Sequence, residues 1–303
     1  MGKRTEADAG TKVRGHFYAP PAQFDGCFTS FYQLVLDVED GATVVDYLLP
    51  EWANIRFFAG AVPNAEIGRT TLTDSAFVAT GPSSLPCRFE LGTARMWGVG
   101  FLPLGWAQFI DADAYDCTNI IVDGAQHPAF RKFASLTDDL VDLSNTPEEQ
   151  FKFIVESLDR MMRPTRDEAK IMRVHDALVN GECGTVSALA DRCAMSIRTL
   201  ERVCQRYFGF TPKLLMRRQR FMRSLASFML HQSQSGSSRW TEVMDEEYHD
   251  QAQFTREFRE FMTMLPSEYA ALDHPILSAF MEARARIWGS AAQTLDSPAD
   301  NHD

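Results

Sequence analysis

A chain of 303 residues is long enough for two ordinary domains, each with its own core. Its 45% hydrophobic and 23% charged content is that of a globular protein, and no run of about 18 apolar residues is present, which excludes a helical membrane span. The formal charge of −11 is an acidic background against which a phosphate-binding surface must stand out as a local reversal.

In chain order, MGKRTEADAGTKVRG is polar, lacks the apolar core of a secretory signal, and is expected to be a disordered leader over residues 1–15. A β-rich region follows from residue 16 to about 134. Strand candidates are Phe31–Asp37, Thr43–Leu49, Ile55–Ala59, Phe77–Thr80, Cys87–Leu91 and Arg95–Phe101, separated by turn residues such as Glu39-Asp40-Gly41, Pro50, Gly60 and the GPSSLP run. Many short strands at this spacing predict a small barrel or sandwich. Next, Thr146 or Asn145 is placed to cap a helix with Pro147 at its first position and Glu148-Glu149 in its first turn. Phe151, Ile154, Val155, Leu158 and Met162 share one face of it, which either packs on the barrel or pairs with a second copy. Pro164 ends the helix and closes a first unit at residues 16–164. Residues 1–165 hold 13 basic and 22 acidic side chains, so this unit is expected to sit away from a nucleic-acid duplex.

The strongest local pattern is VSALADRCAMSIRTLERVCQRYFGFTP, residues 186–212. Val186, Leu189 and Ala190 recur at helical spacing, and Ile197, Leu200, Val203, Cys204 and Phe208 do so again after a tight turn at Ala194-Met195, with Ser196 at the N-cap. Arg198, Glu201, Arg202, Gln205 and Arg206 are left facing outward, and Arg198 and Arg202, four apart, share a face. A short helix of this kind is sized for the major groove, where a guanidinium takes both acceptors of a guanine edge. Between Arg192 and Arg223 nine basic residues stand against the single acid Glu201, the electrostatic footprint of phosphate binding.

A long helix, KLLMRRQRFMRSLASFML, comes next, with Leu214, Phe221 and Leu225 as core candidates. Arg217 and Arg218 are candidate phosphate contacts, and Arg220 a structural ion-pair partner of Asp191. Beyond a polar QSQSGSSRW loop, WTEVMDEEYHDQAQFTREFREFMTMLPSEY (240–269) reads as helix, turn and helix. Here the charge reverses, with three basic residues against eight acids from Arg239 to Ala270, so this half should attract phosphate weakly. PILSAFMEARARIW (275–288) is amphipathic and expected to dock back on the body, and SAAQTLDSPADNHD is expected to be disordered.

Leu189-Ala190, the Met195-Ser196 turn, L-x-R at 200–202 and F-G-F-T-P at 208–212 resemble the first helix-turn-helix of the AraC/XylS family of bacterial transcription regulators. D-Q-x-x-F-x-R-x-F from Asp250 and the closing P-S-x-Y at 266–269 resemble its second. The resemblance covers about residues 185–270. It implies an all-α domain, residues 165–272, of two helix-turn-helix units joined by a linker helix, with two recognition helices in successive major grooves of double-stranded DNA. On the family's pattern the base-reading positions fall on Arg198, Thr199, Glu201, Arg202 and Gln205, and on Gln251, Gln253, Thr255 and Arg256. Side-chain chemistry supports part of this, because Arg on guanine and Gln on adenine can be bidentate. Glu201 either accepts from a cytosine amine or orients Arg198 or Arg202. Glu247, before Tyr248, and Thr263 stand where the family usually has glycine, so a conformational cost is expected there. Farther upstream, LLPEWANIRFFAG (48–60), FVATGPSSLP (77–86) and WGVGFLPLGWAQF (97–109) are similar in order to the N-terminal domain of one branch of that family. The fold class so implied is an α+β multidomain chain: an N-terminal β-rich, cupin-like half-barrel with flanking helices, the double helix-turn-helix domain, and a C-terminal helix and tail at 273–303.

Catalysis finds little footing. His16 and His127 are the histidines before residue 165, too few for a cupin metal centre, and Cys27, Cys87 and Cys117 are too dispersed for a zinc-binding repair centre. No Gly-rich phosphate loop and no serine-nucleophile motif is present. No enzyme activity, cofactor or metal is therefore expected. The six cysteines, without a C-x-x-C pair, are expected to be reduced in a cytoplasmic protein. Trp52, Phe57, Phe58, Trp97, Phe101 and Trp106 either fill the core or line a ligand-binding barrel mouth, with Arg56, Arg88 or Arg95 at hand for an anionic group. The resulting reading is a sequence-specific DNA-binding transcription regulator, a homodimer modulated by a small-molecule effector or partner at the N-terminal domain, with RNA polymerase as a further partner. The alternative is a degenerate regulator that acts through protein–protein contacts, its acidic second unit no longer reading bases.

Overall fold

A computed structural model describes residues 11–39, 41–181, 183–235, 248 and 250–298. Among them, ten strands occupy the N-terminal half: β1 (Lys12–Tyr18), β2 (Phe28–Asp37), β3 (Val44–Leu48), β4 (Asn54–Gly60), β5 (Asn64–Ile67), β6 (Thr70–Leu72), β7 (Phe77–Thr80), β8 (Cys87–Leu91), β9 (Ala94–Phe101) and β10 (Ile121–Asp123). They form two antiparallel sheets, one in the order β1-β2-β9-β4-β7-β10 and one in the order β3-β8-β5-β6. The helices are α1 (Pro103–Phe109), α2 (Thr137–Val141), α3 (Pro147–Met161), α4 (Glu168–Asn180), α5 (Val186–Arg192), α6 (Ile197–Val203), α7 (Pro212–Ser235), α8 (Gln251–Met262), α9 (Pro266–Ala270) and α10 (Leu277–Trp288). The β-rich first half and helical second half are those expected. The leader is shorter than expected, because β1 pairs with β2 from Lys12↔Asp37 to Tyr18↔Phe31. Aromatic anchoring explains this: Tyr18 stacks on Phe151 at 4.4 Å between centroids, and Phe17 meets Phe280 at 4.9 Å. Residues 1–10 lie outside the described residues.

Strand alternation sends the two faces of the larger sheet to different partners. Phe31, Ile55, Phe57, Trp97, Val99 and Phe101 join the core shared with α1 and α3. Tyr32, Leu34, Phe58, Val78 and Met96 meet Ala65, Ile67, Phe89 and Leu91 of the smaller sheet. The apolar stripe of α3 packs on the barrel: Ile154 and Leu158 are fully buried, and Gln150 Oε1 accepts from Trp97 Nε1 at 2.7 Å. Its start is the expected one, with Pro147 in the first turn and a reciprocal cap between Thr146 and Glu149.

The first helix-turn-helix shares its core with the β unit. One continuous cluster contains Trp52 and Phe109 together with Ile171, Leu189, Leu200 and Phe208, and the Trp52 ring lies edge-on to His175 and Phe208. The acidic unit is thus packed directly against the first helix-turn-helix. A second cluster gathers Phe221 and Leu225 of α7, Phe254, Phe258 and Phe261 of α8, Tyr269, and Leu277 and Met281 of α10. Helix α10 docks on the body as expected, but residues 290–298 are not a disordered tail: Ala291, Ala292, Gln293 and Thr294 are buried and Asp296 pairs with Arg284.

Helix α8 opens at Asp250, whose Oδ1 accepts from Gln253 N at 2.6 Å, and ends at Thr263 in the left-handed region, φ 59°. A β-branched residue is disfavoured there, and the side chain is exposed, so glycine removes the strain without opening a cavity. Thr263→Gly is expected to raise the unfolding free energy by about 1 kcal/mol, read as a higher urea midpoint at unchanged slope; an unchanged or lower midpoint would contradict the strain.

Candidate nucleic-acid interface

The α5–turn–α6 unit is built on two caps and one tight turn. Thr185 Oγ1 accepts from Ala188 N at 3.1 Å and Ser196 Oγ from Thr199 N at 3.2 Å, each satisfying a helix-start donor. Between them Ala194 takes φ 51°, and Met195 N donates to Ala190 O at 3.0 Å. Leu200, Val203, Cys204 and Phe208 are buried, which leaves Arg198, Glu201, Arg202, Gln205 and Arg206 exposed and Thr199 half-buried. A single π-helical turn over Cys204–Phe208 ends at Gly209, φ 85°, where a Cβ would come within 2.8 Å of Thr118 Cγ2. Glycine is required by the backbone and by the approach of the β unit.

Two arginines of this face already have carboxylate neighbours. Arg202 Nη1 lies 3.4 Å from Asp167 Oδ2, and Arg206 Nε lies 3.3 Å from Asp113 Oδ1. Asp167, at the start of α4, also receives Lys170 Nζ at 2.6 Å and Tyr207 OH at 3.0 Å. The Lys170 hydrogen bond is the chief cause that holds its carboxyl down at about 2. Arg202 keeps 48% of its side chain exposed, and its contact is long, so its guanidinium stays available to a base edge.

The linker helix corrects three expectations. Arg218 is 0% exposed: Nη1 donates to Ser83 O at 2.9 Å, and the guanidinium lies 3.9 Å above the Trp52 ring. Burial without a carboxylate pushes its pKa down to about 9. Position 218 falls between Leu215 and Met222 on the buried face, so this side chain ties α7 to the β unit instead of touching phosphate. Arg217 Nε donates to Glu257 Oε1 at 3.0 Å and Nη1 to Glu260 Oε1 at 3.1 Å, so it too is spent within the fold. Arg220 Nη2 donates to Glu257 Oε1 at 2.6 Å, making Glu257 and not Asp191 its partner. Tyr248 OH donates to Glu257 Oε2 at 2.8 Å and its ring lies under Arg220. The acids of the second unit thus meet the bases of the linker, which accounts for part of the charge reversal along the sequence.

In the second unit, α8 exposes Gln251 and Arg256, half-buries Gln253 and Thr255, and buries Phe254, Glu257, Phe258, Phe261 and Met262. Thr255 Oγ1 donates to Gln251 O at 2.8 Å. Residues 236–247, with the first half of this unit and Glu247, lie outside the described residues.

A cavity of about 100 Å³ lies between the two sheets. Of the aromatic residues singled out in the sequence only Phe58 lines it; Trp52, Phe57, Trp97, Phe101 and Trp106 belong to the core on the other side of the larger sheet. Arg56 reaches the cavity but is held by Glu51 at 2.7 and 2.8 Å, and Arg95 donates to Asp142 O at 2.6 Å. Sequence reasoning missed Asp46, Gln219 and Arg284, which fasten the chain's end over this cavity; their partners are far away in sequence and leave no local signal.

Residues 189–271 match the family model described as a helix-turn-helix domain. This part of the chain is a helix-turn-helix domain, and it carries the two outward-facing helices α6 and α8. No curated protein matches the sequence. The fold is similar to ToxT from Vibrio cholerae strain SCE256 with an unsaturated fatty acid bound, at 11% identity and a TM-score of 0.42 over 88% of this chain and 96% of that one. It is also similar to ToxT from Vibrio cholerae O395 (10%, TM-score 0.40, 86% and 97%) and to the AraC-like transcriptional activator CuxR (14%, TM-score 0.26, 74% and 87%). These likenesses are too distant to bear on ligands or on the role of any residue.

Two predictions follow from the ion pairs. Glu257→Gln leaves two arginines facing each other beside Tyr248 and is expected to cost about 3 kcal/mol of stability, measured by chemical denaturation; a loss near zero would show the staple to be dispensable. Asp167 is depressed below its unfolded value, so its contribution is present above the unfolded pKa and disappears as pH falls through the folded one. Unfolding free energy should therefore decline between about pH 4 and pH 2, and Asp167→Asn should flatten that limb of the curve.

Proposed function

We propose that the protein recognises a specific duplex site with Arg198, Thr199, Glu201 and Arg202 of α6, with Gln205 of the π-helical turn that follows it and with Gln251, Gln253, Thr255 and Arg256 of α8, and that an effector in the β unit modulates this binding. The observation that carries the reading is the division of α6. One face is fully buried in the common core, while Arg198, Glu201, Arg202 and Gln205 stand together on the other with both caps formed. Arg198 and Arg202 are suited to guanine edges and Gln205 to adenine. Arg217 and Arg218 are left out of this proposal because the fold uses both.

Selection of bound duplexes from a random pool by the purified chain tests it. The expected product is a motif of two short blocks about one helical turn apart. Arg202→Ala should relax preference in one block and Arg256→Ala in the other, each by about 1–3 kcal/mol of discrimination, and Arg198→Ala should lower the salt slope of binding by about one unit at most. Indifference to both alanine changes would remove base reading by these faces. Indifference to Arg256→Ala alone would leave α6 as the reader and favour a protein-contact role for the second unit.

A further inference from the structure

The C-terminal segment, residues 273–298, roofs the space between the sheets and at the same time grips the linker helix. Asp46 on β3, fully buried, accepts from Ile276 N at 2.9 Å and Leu277 N at 2.8 Å and lies 3.0 Å from His274 Nδ1, so it caps the start of α10 from across the fold. Arg284 donates to Ser30 Oγ on β2 at 3.0 Å and pairs with Asp296. Gln219 Nε2 of α7 donates to Thr294 O. Beneath the segment is the cavity of about 100 Å³. Leu277, Met281, Ala291 and Ala292 line it and also belong to the apolar cluster that holds Phe221 and Leu225 of α7 against Phe254 and Phe258 of α8. One set of side chains therefore touches both the cavity and the packing that positions the second recognition helix.

The chemistry of the walls limits what fits. Phe58, Phe89 and Met96 are apolar, and the charges at the wall are paired, Arg56 with Glu51 at 2.7 Å and Arg284 with Asp296. A cavity of this order with mostly apolar walls accepts a molecule of about one aromatic ring. We propose that the cavity binds a compact, uncharged apolar ligand, and that the C-terminal segment above it relays occupancy to α7 and α8. The relay's effect on DNA rests on the reading given under Proposed function.

The test uses the full chain with toluene as probe. Toluene should raise Tm, slow amide exchange across residues 276–295 and 215–229, and change affinity for the selected duplex about fivefold or more. Ala65→Leu, on β5 at the cavity wall, fills the space; it should abolish the toluene response and shift duplex affinity in the direction that toluene shifts the parent. Gln219→Met should still bind toluene but transmit a smaller change to the duplex. The proposal fails if toluene leaves Tm and exchange of the parent unchanged, if Ala65→Leu responds as the parent does, or if toluene binds and protects the segment with no change in duplex affinity. Should no duplex motif emerge, the DNA reading fails, while the exchange experiment on the parent chain still decides whether ligand and roof are linked.

Discussion

Helix α7 buries most of its circumference between Pro212 and Met229, and the arrangement of the chain follows from how each side of it is covered. Leu215 enters the core common to the β unit and the first helix-turn-helix, whereas Phe221, Leu225 and Phe228 enter the core of the second. Gln219 faces the C-terminal segment, Arg217 and Arg220 face α8, and Arg218 faces Trp52. A buried cation without a carboxylate is costly, and Arg218 is held by the Trp52 and Phe210 rings and by the Ser83 carbonyl. Such a residue ties a helix to one rotational setting, because turning α7 would strip these partners at once.

Charge along the sequence and charge on the surface are different quantities in this protein. Arg217 and Arg220, from the basic stretch of the sequence, lie against Glu257 and Glu260, from the acidic stretch, and the four neutralise one another. Asp167 and Asp113 moderate Arg202 and Arg206. The positive surface is therefore narrower than the count of arginines implies and is centred on α6. An acidic β unit can therefore pack directly against the first helix-turn-helix, because Asp113 of the β unit pairs with Arg206 at short range.

What was legible in the sequence was what local periodicity and capping encode. The stripes of α3, α5 and α6, the caps at Thr146 and Ser196, and β7 and β8 with their bounds were all readable from neighbouring residues. The left-handed residue at 263 was readable as well, as a missing glycine. Strand β1 was hidden by its polar composition, since its order comes from Phe17 and Tyr18 finding aromatic partners distant in sequence. Arg218 could not be recognised as buried, because charge predicts exposure unless the partner is known, and its partners lie 135 residues upstream at Ser83 and farther at Trp52. Residues 291–294 are small or polar, yet they are buried, with Gln219 of α7 holding the Thr294 carbonyl from far away in sequence.

The common core of the β unit and the first helix-turn-helix bears on how such a chain can diverge. Trp52, His175 and Phe208 meet across what would otherwise be a seam, so exchanging the N-terminal half for an unrelated one would expose apolar surface on the helix-turn-helix domain. A different N-terminal half cannot be joined at that seam without rebuilding this contact. Novelty has to arrive by point changes, in the side chains that look outward from α6 and α8 or in those that look inward between the sheets, while the residues that join the halves stay as they are.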